Sequence, residues 1–87
     1  MNFLHYDLQL ASNDVVEVTL DKQANVLLLD DINFRHYETG QRYSYFGGLA
    51  KASPVRLRPP YAGHWHVVIN LGGYAGTVSA SVRTIKA

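Results

Sequence analysis

Residues 63–73 alternate strictly between two sets of positions, of which one is wholly apolar and the other carries two histidines. The first set is Trp65, Val67, Ile69 and Leu71, and the second is His64, His66, Val68 and Asn70. Successive side chains of a β-strand point to opposite faces, so this pattern predicts a strand with one face in a core. The other face presents both histidines to the same side.

The same period of two recurs in short segments separated by turn-forming residues. These segments predict further strands at residues 3–10, 15–20, 26–29, 42–46, 55–58 and 78–83. Residues 26–29 are entirely apolar, which indicates a strand buried on both faces. Prolines on both sides of residues 55–58 place that strand at a sheet edge, because proline cannot donate to a ladder. We expect residues 47–53 to form a turn and a loop.

One short helical segment is predicted near residues 31–39. Asp30 or Asp31 can accept hydrogen bonds from the free N–H groups at a helix start, and Gly40 can adopt the left-handed conformation that ends a helix. Seven or eight short strands with mostly short connections are typical of an antiparallel sandwich. The sequence therefore predicts an all-β fold, a β-sandwich or jelly roll, with residues 1–87 forming a single domain.

Charge is unevenly distributed along the chain, although the formal net charge is only +1. Residues 1–40 hold all seven acids and two bases, a net charge of −5, whereas residues 41–87 hold six bases and no acid, a net charge of +6. A basic second half can attract anions. Alternatively, early and late strands that pair with one another would neutralise the two halves, which is the interpretation we favour. The small overall charge disfavours nucleic acid as a partner.

His64 and His66 are the candidates for metal chemistry, because two imidazoles on one face of a strand can share an ion. The third ligand could be His5, His36 or a carboxylate from Asp7, Asp30 or Asp31. Cupins use such a pair together with a glutamate shortly after it and a later histidine, and neither follows His66. We therefore expect no metal and no cofactor, and a cupin-like metal-dependent enzyme using His64 and His66 is the alternative.

Tyrosines beside arginines favour a binding surface over a catalytic site. The chain is 11% aromatic, and tyrosine and arginine suit recognition as well as packing. The candidate ligand-binding residues are Arg35, Tyr37, Arg42, Tyr43, His64 and His66. No catalytic residue is predicted, since the chain has no cysteine and no Gly-x-Ser-x-Gly motif.

Several segments together resemble a small bacterial family known as domain of unknown function 1883. They are residues 3–8 (FLHYDL), 14–21 (DVVEVTLD), 25–30 (NVLLLD), 45–48 (YFGG), 53–55 (SPV) and 63–68 (GHWHVV), so the resemblance spans nearly the whole chain. It implies a compact β-sandwich that occurs alone or fused to other modules, including TIR-type signalling domains. It carries over no catalytic residue.

These observations predict a non-catalytic binding or sensor module of the bacterial cytoplasm. The expected partner is a small ligand or a protein, including a second copy of the chain. No secretory signal and no run of eighteen apolar residues is present, so we expect no membrane association. A third hypothesis is a binder of anionic ligands that uses the basic residues of the second half.

Overall fold

The computed structural model describes residues 3–86, which form seven strands and one helix. The elements are β1 (Leu4–Leu10), β2 (Val15–Leu20), β3 (Ala24–Asp30), α1 (Asp31–Glu38), β4 (Phe46–Ala50), β5 (Val55–Leu57), β6 (Gly63–Asn70) and β7 (Ala80–Ile85). One antiparallel sheet has the strand order β1-β6-β3-β4, and the other has the order β5-β2-β7. The predicted all-β sandwich is confirmed.

The core lies between the two sheets and contains the apolar face of β6. Trp65 is 1% exposed and packs with Val67 and Ile69 against the other sheet, as the alternation predicts. β3 is buried on both faces, which confirms the prediction from its apolar run. Its Leu28 enters this core, whereas Leu27 faces the helix on the opposite side.

Helix α1 follows β3 without a loop and covers the outer face of the four-stranded sheet. Asp30 caps the helix, because its Oδ1 accepts a hydrogen bond from the Asn33 backbone N–H at 2.8 Å. Gly40 follows the helix with a φ of 75°, the left-handed conformation that glycine tolerates. The buried Phe34 and Tyr37 pack against the outward side chains of β3 and β6. The helix is therefore held by its apolar face.

The fourth and the last strands differ from the prediction. β4 occupies Phe46–Ala50, of which residues 47–50 were predicted as turn and loop, and residues 42–45, predicted as strand, are not part of one. A side chain at Gly47 would collide with the Val26 carbonyl oxygen, so glycine allows β4 to approach β3 closely. β7 is displaced from 78–83 to Ala80–Ile85, the residues that pair with β2. The proline-flanked strand β5 lies at an edge, as predicted.

Ion pairs between early and late strands confirm the predicted neutralisation of the two halves. On the outer face of the three-stranded sheet, Glu17 pairs with both Arg56 and Arg83. Lys86 Nζ lies 2.7 Å from the Asp14 carboxylate. Within residues 3–86, no helix is long and apolar enough to cross a membrane.

Candidate metal centre

The two histidines of β6 lie on the outer face of the four-stranded sheet, beside the start of α1. β6 is the neighbour of both β1 and β3, so side chains from three strands share this face. Asp7 of β1 lies directly opposite His66 in the strand register. β3 ends at Asp30, and the helix therefore begins with Asp31 above the same end of β6. The fold thus brings acids from two elements to the histidine pair.

Asp7, Asp31, His64 and His66 form a connected set, which we call the histidine–aspartate cluster. Asp31 Oδ1 lies 2.7 Å from His64 Nδ1 and 2.6 Å from His66 Nε2. Asp7 Oδ1 contacts the other ring nitrogen of His64. One nitrogen or oxygen atom from each of Asp7, His64 and His66 lies within 4.8 Å of the other two. The three atoms are therefore close enough for small side-chain movements to bring them around a single ion, whose bonds to nitrogen and oxygen are about 2.0–2.2 Å long.

A second layer of rings fixes the orientation of His66. His66 Nδ1 lies 2.8 Å from His5 Nε2, so the two imidazoles share a hydrogen bond. The Phe34 ring stacks on both imidazoles, with centroids 4.1 Å from His5 and 4.3 Å from His66. The His66 side chain is only 7% exposed. With Nδ1 engaged by His5, Nε2 is the nitrogen that His66 directs to the cluster.

The electrostatics of the cluster follow from these contacts. The hydrogen bond to Asp7 raises the pKa of His64 above that of an ordinary imidazole. The hydrogen bond from His66 lowers the pKa of Asp31, which is therefore ionised at neutral pH. Desolvation lowers the pKa of His5, which keeps that ring neutral. The cluster consequently presents carboxylate and imidazole ligands to a cation. A bound cation would take the place of a proton on His64.

The cluster is open to solvent. The side chains of Asp7 and Asp31 are 60% and 59% exposed, and that of His64 is 39% exposed. A cavity of about 520 Å³ lies at the other end of β6, where residues 69–78 and Phe3 line it. A ligand at the cluster would therefore be held by direct bonds at the surface rather than enclosed.

The other predicted ligand-binding residues do not join the histidine pair. Tyr37 is 4% exposed and accepts a hydrogen bond from Asn70 in the layer between α1 and the sheet. The Tyr43 ring packs edge-on against Tyr37, with centroids 5.2 Å apart. Arg35 and Arg42 are exposed, and within residues 3–86 no contact joins either to the cluster.

Of the five residues proposed as a third ligand, the structure brings three to the histidines. Asp7 and Asp31 contact them directly, and His5 reaches His66. Asp30 instead caps the helix and accepts a hydrogen bond from Tyr61. His36 lies on α1 outside the cluster.

Phe34 was not predicted to belong to the site. The sequence did, however, indicate that the histidines and Asp7 would group together. His5-Tyr6-Asp7 and His64-Trp65-His66 both place polar ligand-type residues two positions apart, hence on one face of a strand.

The fold and the cluster define a small β-sandwich with a surface set of histidines and carboxylates. Residues 1–87, the whole chain, match the family described as domain of unknown function (DUF1883), and the chain belongs to this family. Comparisons with curated proteins and with solved structures found no match.

Proposed function

We propose that the domain is a non-catalytic binding module whose ligand is a divalent transition-metal ion. Asp7, His64 and His66 are the proposed ligands, and Asp31 lies beside both histidines, within 2.7 Å of His64 Nδ1 and 2.6 Å of His66 Nε2. The observation that carries this proposal is the convergence of three donor atoms within 4.8 Å of one another, from two neighbouring strands. The sequence pattern alone predicts no metal, whereas the convergence of these donor atoms favours one.

The donor chemistry supports a transition metal rather than calcium or magnesium. Imidazole nitrogen combined with carboxylate oxygen suits zinc and its neighbours, whereas the harder cations prefer oxygen alone. Metal-bound histidines usually donate their second ring N–H to a fixed acceptor. His5 Nε2 lies 2.8 Å from His66 Nδ1 and would accept this bond when His66 Nε2 holds the ion. Both carboxylates would also offset the charge of the ion.

The open position of the cluster supports binding over catalysis. Enzymes that use metals hold the reacting atoms in a shaped site from which water is excluded. Here the Asp7 and Asp31 side chains are more than half exposed. The two-histidine, one-carboxylate set is nevertheless the one used by non-haem iron oxygenases. A cupin-like enzyme that uses His64 and His66 is therefore the second candidate.

Metal titration of the purified full chain tests the proposal. After chelator treatment and dialysis, calorimetry with Zn²⁺ should show about one ion bound per chain, and Co²⁺ should give the visible absorption of a site with nitrogen and oxygen donors. His64→Ala and Asp7→Asn should weaken binding at least about tenfold. His36→Ala is the matched control, because His36 is a histidine outside the cluster.

Two results would contradict the proposal. One is the absence of any saturable heat or absorption change with Zn²⁺, Co²⁺, Ni²⁺ and Mn²⁺. The other is an equal loss of affinity in His36→Ala and in His64→Ala, because binding would then not depend on the cluster. Oxygen consumption by the Fe²⁺-loaded chain, lost in His66→Ala, would favour the second candidate.

A further inference from the structure

Two arginines flank one buried glutamate on the outer face of the three-stranded sheet. Glu17 of β2 lies directly opposite Arg56 of β5 and Arg83 of β7 in the strand register. Arg56 Nε donates to Glu17 Oε2 at 3.0 Å, and Arg83 Nε donates to Glu17 Oε1 at 2.7 Å. The glutamate side chain is 9% exposed, so both of its oxygens are committed to holding the two guanidinium groups.

Most N–H donors of the two guanidinium groups face solvent. Their side chains are 61% and 71% exposed. A guanidinium carries five N–H donors, and one edge of the group satisfies a carboxylate oxygen. Within residues 3–86, Glu17 is the only acid that forms an ion pair with either arginine. The outward donors of both groups are therefore available to a ligand.

Neutralisation of Glu17 does not by itself account for this arrangement. One arginine balances one carboxylate, and the second leaves a net charge of +1 on an exposed surface. Two neighbouring cations repel each other, which costs free energy unless an anion offsets it. Glu17, on the strand between them, instead holds one guanidinium group at each of its two carboxylate oxygens. Such fixed forks match the oxygens of planar or tetrahedral oxyanions.

We propose that Arg56 and Arg83, held by Glu17, form a binding site for the phosphate group of a phosphomonoester. A phosphate has three terminal oxygens and a charge of up to −2, so it can accept from both guanidinium groups at once. A carboxylate has two oxygens and satisfies a single fork. The site lies on a different sheet from the histidine–aspartate cluster and does not depend on the proposed metal. The phosphomonoester could be a soluble metabolite or a lipid headgroup.

Binding of glycerol 3-phosphate to the full chain, followed by NMR and calorimetry in EDTA, tests this site. EDTA prevents phosphate from binding through a metal ion. A parallel arm uses phosphatidylcholine vesicles with and without phosphatidic acid. Arg56→Gln and Arg83→Gln should each weaken binding about tenfold, the effect of losing charged hydrogen bonds. Lys51→Gln is the control, because Lys51 is an exposed cation that lies outside the strands.

Arg83→Lys tests whether binding depends on the planar guanidinium donors or only on positive charge. Lysine keeps the charge and lacks the planar pair of donors. Its affinity should also fall, and its conservative size keeps the fold. Unchanged binding in Arg83→Lys, equal weakening in Lys51→Gln, or equally tight binding of acetate would each overturn the proposal. The absence of binding in both arms at millimolar phosphomonoester would overturn it as well. Binding in one arm alone would uphold it and identify the source.

Discussion

Metal binding at the histidine–aspartate cluster should raise the melting temperature by an amount that can be calculated. A ligand that binds only the folded chain stabilises it by about 2.7 kcal/mol when its free concentration is 100 times the Kd. The unfolding entropy is about 2.1 cal/mol/K per residue, or roughly 0.18 kcal/mol/K for 87 residues. The ratio of these two values predicts a rise of about 15 °C in the melting temperature at that Zn²⁺ concentration.

The assay compares melting temperatures with Zn²⁺ and with EDTA for each variant by differential scanning calorimetry. The shift between the two conditions isolates metal binding from any change in the stability of the metal-free chain. This comparison matters most for His66, which is buried and stacks on Phe34, so that His66→Ala also removes packing. His64→Ala and Asp7→Asn alter partly exposed side chains and should abolish most of the shift. His36→Ala should retain it.

The reasoning fails if Zn²⁺ leaves the melting temperature of the unmodified chain unchanged. It also fails if His64→Ala shows the full shift, because a stabilising ion would then be bound elsewhere. A shift that disappears in His64→Ala but survives in Asp7→Asn would leave Asp31 as the carboxylate ligand. That result would correct the ligand set while keeping the metal centre.

Three further predictions concern the fold. Leu28→Ala, at a fully buried position of the core, should lower the free energy of unfolding in urea by about 2–5 kcal/mol, and a smaller loss would show that the cavity collapses. Gly47→Ala should also destabilise the chain in urea, because its φ is 108° and a Cβ would meet the Val26 carbonyl, whereas a neutral effect would contradict the close approach of β4. The hydrogen bond from Arg83 lowers the pKa of Glu17 below its unfolded value, so its stabilisation is present above about pH 4.5 and is lost as the pH falls. The free energy of unfolding, measured at several pH values, should therefore fall less on acidification in Glu17→Gln than in the unmodified chain. The same pH dependence in both chains would contradict this.

The strands that could be predicted are those whose side chains alone reveal their environment. In β6 the alternation separates Trp65 from its histidine neighbours, and in β3 the apolar run indicates burial on both faces. β4 carries no such signal, because Gly47 and Gly48 contribute no side chains. Its position is set by backbone pairing with β3, which the hydrophobic pattern does not encode.

The candidate site was predictable in part for the same reason. Spacing along a strand shows that His64 and His66 share a face, and that His5 and Asp7 do too. It does not show that β1 is the neighbour of β6, since that depends on the order of strands in the sheet. The arrival of Asp31 depends further on a helix that starts directly after β3 and turns back over it. Tyr37 was predicted from composition as a ligand-binding residue on the surface. The same helix buries it instead, which the sequence pattern did not indicate.

The composition of the outer face of β6 argues that the cluster serves more than packing. Val68, the next outward residue after His66, is fully buried under α1 and packs against Phe34 and Leu27 as an ordinary apolar side chain. An apolar residue at position 66 could pack under the same Phe34 ring without the desolvation cost of a polar group. The chain instead places an imidazole there, hydrogen-bonded on one nitrogen to His5 and directed by the other to an exposed carboxylate. The stability of the fold does not require a histidine at position 66. The proposed metal site does require one, because it needs a ligand nitrogen held in a fixed direction.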